Sequence, residues 1–247
     1  MSDPCETVRC MCGRYATTRS SADLSALFEA TDEIEGLAPD YNVAPTDPVP
    51  IVRRSADVRV LKTARWGLVP TWAKDARGGA RMINARAETV ATSRAFAPSF
   101  AGRRCLVPAD GWYEWVRGPS GGKQAYFMTL GADQPCVFGG IWAVWGSADQ
   151  TLLTCGIVTA PAVGDLELVH DRMPLLLPPR RWEAWLSGPA SADLLAPTPA
   201  AHVAALEIRP VGAAVGDVRN DGPQLIDRVP APSLASTGKE AIDLTLF

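Results

Sequence analysis

At 247 residues the chain is long enough for one large domain with a buried core, and 47% hydrophobic with 21% charged residues is ordinary globular composition. A net charge of −3 argues against a protein that coats nucleic acid or membrane by charge alone. The six cysteines show no CxxC pair and no repeated spacing, so the pattern suggests neither a disulfide framework nor a metal site.

The charge is nevertheless uneven: residues 60 to 125 carry eleven basic side chains against four acidic ones. Such a stretch reads either as a local anion-binding face or as a solvated surface with scattered charge, and the count alone leaves both open. No apolar run reaches the roughly 18 residues of a membrane span. The expectation is a soluble, cytoplasmic protein without membrane contact, monomeric, and needing no cofactor.

In chain order the first signal is "CMCGRYA" at residues 10 to 16. A Cys directly after a Met becomes amino-terminal if translation starts at that Met and the Met is trimmed. Residues 1–11 therefore read as a leader or a start placed too early, with Met11 favoured as the true start. Next, "SSADLSALFEA" has a Ser cap and apolar residues at helical spacing, which predicts a helix. Closely spaced prolines in "LAPDYNVAPTDPVPIV" force an extended path. "GGARMINAR" reads as a loop and "ETVATSRAF" as a short helix. "RCLVPAD", "AYFMTL", "CVFGGIWAVW" and "LLTCGIVTA" predict strands, with Cys105, Cys136 and Cys155 in the core. "PPRRWEAWL" predicts a helix with Pro at its start, and "ALEIRPV" one more strand. From residue 229 a Pro/Ser/Ala-rich segment reads as a flexible tail. The sum is an α+β domain over 12–228, with a mostly antiparallel, barrel-like β core and flanking helices.

Four stretches hold unusual polar residues in apolar or Gly/Pro-rich surroundings: "CGR" at 12, "NARAET" at 84, "PADGWYEW" at 108 and "HDRMP" at 170. An amino-terminal Cys12 carries an α-amine and a thiol on adjacent carbons, and this pair condenses with an aldehyde to a thiazolidine, which an internal Cys cannot do. Glu114, between Tyr113 and Trp115, suits general acid and base work if buried and is an ordinary strand carboxylate if it faces water. His170 sits in a loop and suits proton transfer, or is simply a satisfied surface His. Asn84 would orient a substrate oxygen while Arg86 takes a phosphate.

In this order, "MCGRYA", "YNVAPT", "RWGLVPTW", "INARAET", "RCLVPADGWYEW", "VTAPA", "HDRMP" and "AVGDVRNDGPQLI" closely resemble the SOS-response-associated peptidase (SRAP) family, whose members are abasic-site processing proteins. The likeness runs from Met11 to about Asp227. It implies a single SRAP-like domain in which Cys12 forms a thiazolidine with the ring-opened aldehyde of an abasic site in single-stranded DNA, with associated lyase and self-processing peptidase activity. By the same likeness Asn84 holds the Cys or the sugar, Glu114 shuttles protons, and His170 assists the Schiff-base and thiazolidine steps. Arg14, Arg86 and Arg172 grip phosphates beside the lesion, and Thr159 adds a hydrogen bond. Trp72 is read either as a stacking or wedging residue or as core packing.

The last five residues, "DLTLF", resemble the short peptides by which bacterial proteins dock on the replication sliding clamp, with Leu244, Leu246 and Phe247 as anchors. Two competing functions follow from the same residues: a cysteine peptidase acting on other proteins, and a non-covalent binder of modified DNA. Only the thiazolidine chemistry requires Cys12 to be amino-terminal.

Overall fold

The computed structural model describes residues 13–34, 36–117, 122–147 and 150–230. Cys12, the segment before it, and the clamp-like residues Leu244, Leu246 and Phe247 lie outside the described residues.

The chain enters through β1 (Tyr15–Thr17), then α1 (Ser21–Phe28) and the short β2 (Ala30–Asp32). The α1 helix starts where its Ser cap predicts, the Ser20 hydroxyl accepting the Asp23 N–H, and buries Leu24 and Phe28. The proline-rich stretch is extended as expected, forming β3 (Asp40–Val43) and β4 (Pro48–Ser55), with β4 paired to β5 (Val58–Trp66). After β6 (Asn84–Arg86), α2 (Ala87–Val90) and α3 (Ala97–Gly102), the strands run β7 (Arg104–Ala109), β8 (Gly111–Arg117), β9 (Lys123–Thr129), β10 (Cys136–Ser147) and β11 (Gln150–Pro161). They are followed by β12 (Arg172–Pro174), α4 (Trp182–Ser187), α5 (Ala200–Ala204) and β13 (Glu207–Val211).

Five of these strands close a ring: β4 pairs β5 and β7, β7 pairs β10, β10 pairs β11, and β11 returns in parallel to β5 at Thr154–Arg65 and Cys155–Trp66. Closure leaves no open edge among them. One face of each strand fills the interior with Val49, Ile51, Trp66, Cys105, Val107, Phe138, Cys155 and Ile157. The opposite faces carry Val52, Leu61, Leu106 and Val158, covered by Phe28 of α1, Phe100 of α3 and Trp185 of α4. This is the two-sided alternation that a period of two imposes.

A second sheet, ordered β13-β9-β8-β1-β3, lays Tyr15, Trp112, Tyr126 and Met128 on the same interior. Its other face, with Ala16, Tyr113 and Phe127, is covered by Val215 and Leu225 from the segment after β13. Tyr15 locks the two layers, meeting Trp66 edge-on at 5.0 Å between ring centroids. The fold is the mixed α+β architecture with a closed barrel and flanking helices that the sequence predicts.

Several local expectations change. "ETVATSRAF" is not one helix: α2 ends at Val90, turns follow, and the next helix begins only at Ala97. Thr92 and Ser93, weak helix formers, stand in the break, and the Thr92 hydroxyl donates to the Thr89 carbonyl. "GGARMINAR" is more than a loop, since it overlaps the 3₁₀ turn Arg77–Arg81 and contains strand β6. "PPRRWEAWL" opens with a 3₁₀ turn, and its α-helix begins at Trp182. Arg104, counted with the anion-binding stretch, is buried: its guanidinium donates to the carbonyls of Phe100, Ala101, Trp185 and Gly188. It ties the ends of α3 and α4 and offers no charge to a surface ligand.

Candidate functional site

The strand register decides which side chains meet. β6 lies parallel to β11, pairing Asn84 with Ile157 and Arg86 with Thr159. Ile157 faces the barrel interior, so Asn84 and, two residues along, Thr159 face it too. Thr159 is fully buried. On the facing sheet, Glu114 lies two residues after interior-facing Trp112, and its cross-strand neighbour Tyr126 is also an interior residue. Glu114 is accordingly only 4% exposed, which decides between a solvent-facing strand Glu and a buried carboxylate. Its flanking aromatics leave by the other face: Tyr113 packs with Phe127, and Trp115 packs against the same cluster.

The Tyr113 N–H donates to the Arg14 carbonyl at 3.0 Å, so Glu114 sits beside the start of β1, whose first residue is three positions after Cys12 in the sequence. Arg14 itself turns to the outer face of this sheet. It donates to the Asn42 side-chain oxygen at 2.8 Å and to the Val215 carbonyl at 2.9 Å. Asn42, 3% exposed, passes its amide hydrogens to the carbonyls of Asp217 and Asn220. Three separate sequence motifs, "CGRY", "YNVAPT" and "AVGDVRND", thus meet in one satisfied polar knot.

At the other side of the site Arg172 makes a fork-to-fork pair with Glu88, at 2.7 and 2.9 Å, and donates to the Thr159 carbonyl at 2.7 Å. The Arg172 bonds hold the Glu88 carboxyl below its usual range, with a smaller contribution from the charge of Arg86. Arg86 is solvent-exposed. His170 follows the 3₁₀ turn Gly164–Leu168, and its Nδ1 lies 2.8 Å from the Asp171 carboxylate and 3.0 Å from the Arg172 backbone N–H. It accepts from that N–H only when unprotonated and donates to Asp171 only when protonated, so the ring has two alternative bonding states at one nitrogen.

Trp72 stands apart on the loop from Gly67 to Met82. Gly67 has φ +124°, and a Cβ there would sit 2.5 Å from the Gly79 carbonyl oxygen, so this tight loop base requires glycine. The Trp145 indole fixes the loop by donating to the Ala73 carbonyl at 2.8 Å. Trp72 is 51% exposed, and the Arg94 guanidinium covers its ring at 4.7 Å, so it is not a core residue.

The structure therefore gathers Asn84, Glu114 and Thr159 on one interior and places Arg86, Arg172 and His170 on the elements that border it. Arg14 faces the opposite side of its sheet. Sequence reasoning missed Glu88 and Asn42, although both lie inside motifs it singled out. Among the described residues no group of three or more His, Cys, Asp or Glu side chains is arranged to hold a metal ion, and no helix is long and apolar enough to cross a membrane.

The family model for SOS response associated peptidase (SRAP) matches residues 11–218. The chain belongs to the SRAP family. Among its curated SRAP-like relatives, "Abasic site processing protein YoqW" of Bacillus subtilis is 33% identical over 226 residues, covering 88% of this chain and 99% of the relative. "Abasic site processing protein YedK" of Escherichia coli is 33% identical over 232 residues, covering 89% and 100%. The likeness extends to "Abasic site processing protein HMCES" of Gallus gallus at 29% identity, covering 87% of this chain and 77% of the relative. A crystal structure of a protein from Bacteroides thetaiotaomicron shares the fold, with a TM-score of 0.77 at 21% identity, covering 89% of this chain and all of that one. A phage-related protein from Bordetella bronchiseptica superposes with a TM-score of 0.63 at 30% identity, covering 81% and 94%.

Proposed function

We propose that this SRAP protein captures abasic sites in single-stranded DNA covalently, through an amino-terminal Cys12. The α-amine of Cys12 attacks the ring-opened aldehyde and forms an imine with loss of one water. The thiol then adds across the C=N bond, the sulfur bonding to carbon and the proton passing to nitrogen, which closes a thiazolidine. Glu114 carries the protons of ring opening, water loss and closure. Asn84 orients the sugar or the amine, and His170 serves the deoxyribose hydroxyl from the rim. Arg86 and Arg172 hold the flanking phosphates with help from Thr159, Arg14 adds positive charge near the entry of β1, and Trp72 stacks on a base. β-elimination at an imine gives the associated lyase activity, and cleavage before Cys12 gives self-processing where a leader precedes it.

The observation that carries this reading is the buried Glu114 at the start of β1, facing the same interior as Asn84, in a chain whose relatives are named for abasic-site processing. The test is Cys12→Ser in a chain that begins at Cys12. The serine retains the amine and lacks the sulfur, so borohydride traps an imine while the untreated adduct disappears. Cleavage of peptide substrates by the native chain, with no DNA adduct, would favour a peptidase acting on other proteins. The tail adds a separate element: Leu244, Leu246 and Phe247 dock on the sliding clamp, and deletion of residues 243–247 abolishes clamp pull-down.

A further inference from the structure

Arg172 is a candidate phosphate ligand whose terminal donors are engaged by the protein itself. Both terminal nitrogens bind Glu88, one of them also binds the Thr159 carbonyl, and the side chain is only 11% exposed. Its Nε is buried with no partner. The edge of a guanidinium that recognises a phosphate bidentately is the same edge that recognises a carboxylate. Glu88, by contrast, has an outlet: its side chain is 46% exposed and stands in the first turn of the four-residue α2, directly after strand β6. Arg86, close enough to contribute to the Glu88 titration, is solvent-exposed.

We propose that Glu88 acts through Arg172 to set the grip on DNA: its carboxylate occupies the guanidinium edge that a phosphate of single-stranded DNA takes, and yields that edge when the strand binds. Glu88 is thus a positioning residue. Without DNA it keeps Arg172 pinned to β11 and neutralised, and with DNA it turns to solvent or to Arg86. The inference rests on the DNA-capture reading and adds to it a defined competition at one side chain.

The test measures affinity for an intact single-stranded oligonucleotide, without an abasic site, as a function of salt. The four proteins compared are native, Glu88→Gln, Arg172→Gln and the double variant. Glu88→Gln retains one acceptor for Arg172 and removes the competing charge. Its affinity rises about threefold or more, and the slope of log affinity against log salt steepens by about 0.7, one further phosphate contact on a single strand. In the Arg172→Gln background the same change does nothing. Glu88→Asp retains the charge but retracts it by one methylene, and it gives a smaller rise that a general charge effect would not produce.

A gain that persists without Arg172, or a Glu88→Gln protein that binds more weakly, overturns the proposal. The latter outcome makes the pair a scaffold that holds Arg172 ready for phosphate. The native protein's adduct yield on abasic DNA is measured in parallel. A native protein that forms the adduct while Glu88 has no effect defeats the competition alone, whereas a native protein with neither binding nor adduct defeats the reading beneath it.

Discussion

Asn42 receives the Arg14 guanidinium on its side-chain oxygen at 2.8 Å and spends both amide hydrogens on the carbonyls of Asp217 and Asn220. The contacts span 28 residues in one direction and more than 170 in the other, so one buried amide binds the entry of the domain to the segment that follows β13. Replacing Asn42 with Leu takes one acceptor from the Arg14 guanidinium, which keeps the Val215 carbonyl, and removes the donors to the part-buried carbonyls of Asp217 and Asn220, a loss of about 1–3 kcal/mol. The expected result is a melting temperature lower by at least about 4 °C for a domain of this size, read by calorimetry. An unchanged melting temperature would show that water takes over the lost bonds.

Glu114→Gln separates proton transfer from binding. The two side chains are nearly isosteric, and the buried position next to interior residues Trp112 and Tyr126 is preserved. Adduct formation at saturating DNA slows by about 100-fold or more, the usual contribution of a positioned acid and base. Affinity for undamaged single-stranded DNA stays within about twofold, because the residue faces the interior and meets no phosphate. Equal losses in both measurements would assign Glu114 a structural role.

The Glu88 carboxyl titrates below its usual range, chiefly because Arg172 donates to it. A depressed folded value means that its contribution to stability is complete above the unfolded Glu value of about 4.3 and disappears as the pH falls through the lower folded value. Native protein should therefore melt above Glu88→Gln at neutral pH, and the difference should shrink only below about pH 4.3. A difference that is constant from pH 7 to below that range would contradict the pairing.

Cys105, Cys136 and Cys155 are free and buried in the barrel interior. Cys136 and Cys155 are pushed up to about 12 by burial, and burial also raises Cys105, with a further push from Cys155. Because only the thiolate reacts, iodoacetamide at pH 8 should leave all three unmodified in the folded protein and modify them in urea, as read by peptide mapping. Modification of any of them under native conditions would show that the barrel opens.

Local pattern carried the strands and the first helix, because alternation and caps are written within a few residues. Glu114 was legible as a candidate from its aromatic neighbours. Its burial depended on which strand face turns to the barrel, and that follows from the pairing of β8 with both β1 and β9. Glu88 escaped notice because its partner lies 84 residues away, where no spacing rule reaches. The burial of Arg104 is hidden for a similar reason: nothing local sets it apart from the neighbouring Arg103, and only the packing of α3 and α4 brings four carbonyls to it. The break in "ETVATSRAF" falls at Thr92 and Ser93, adjacent weak helix formers.

Capture through an amino-terminal Cys12 is tested most directly by intact-mass spectrometry of protein that begins at Cys12, before and after mixing with a single-stranded oligonucleotide carrying one abasic site. The account predicts a heat-stable species at the mass of protein plus DNA minus one water. It also predicts that the species is lost when Cys12 is preceded by further residues that are not removed. Protein with a confirmed amino-terminal Cys12 that yields no such species, or an equal yield from the blocked chain, would contradict the thiazolidine mechanism.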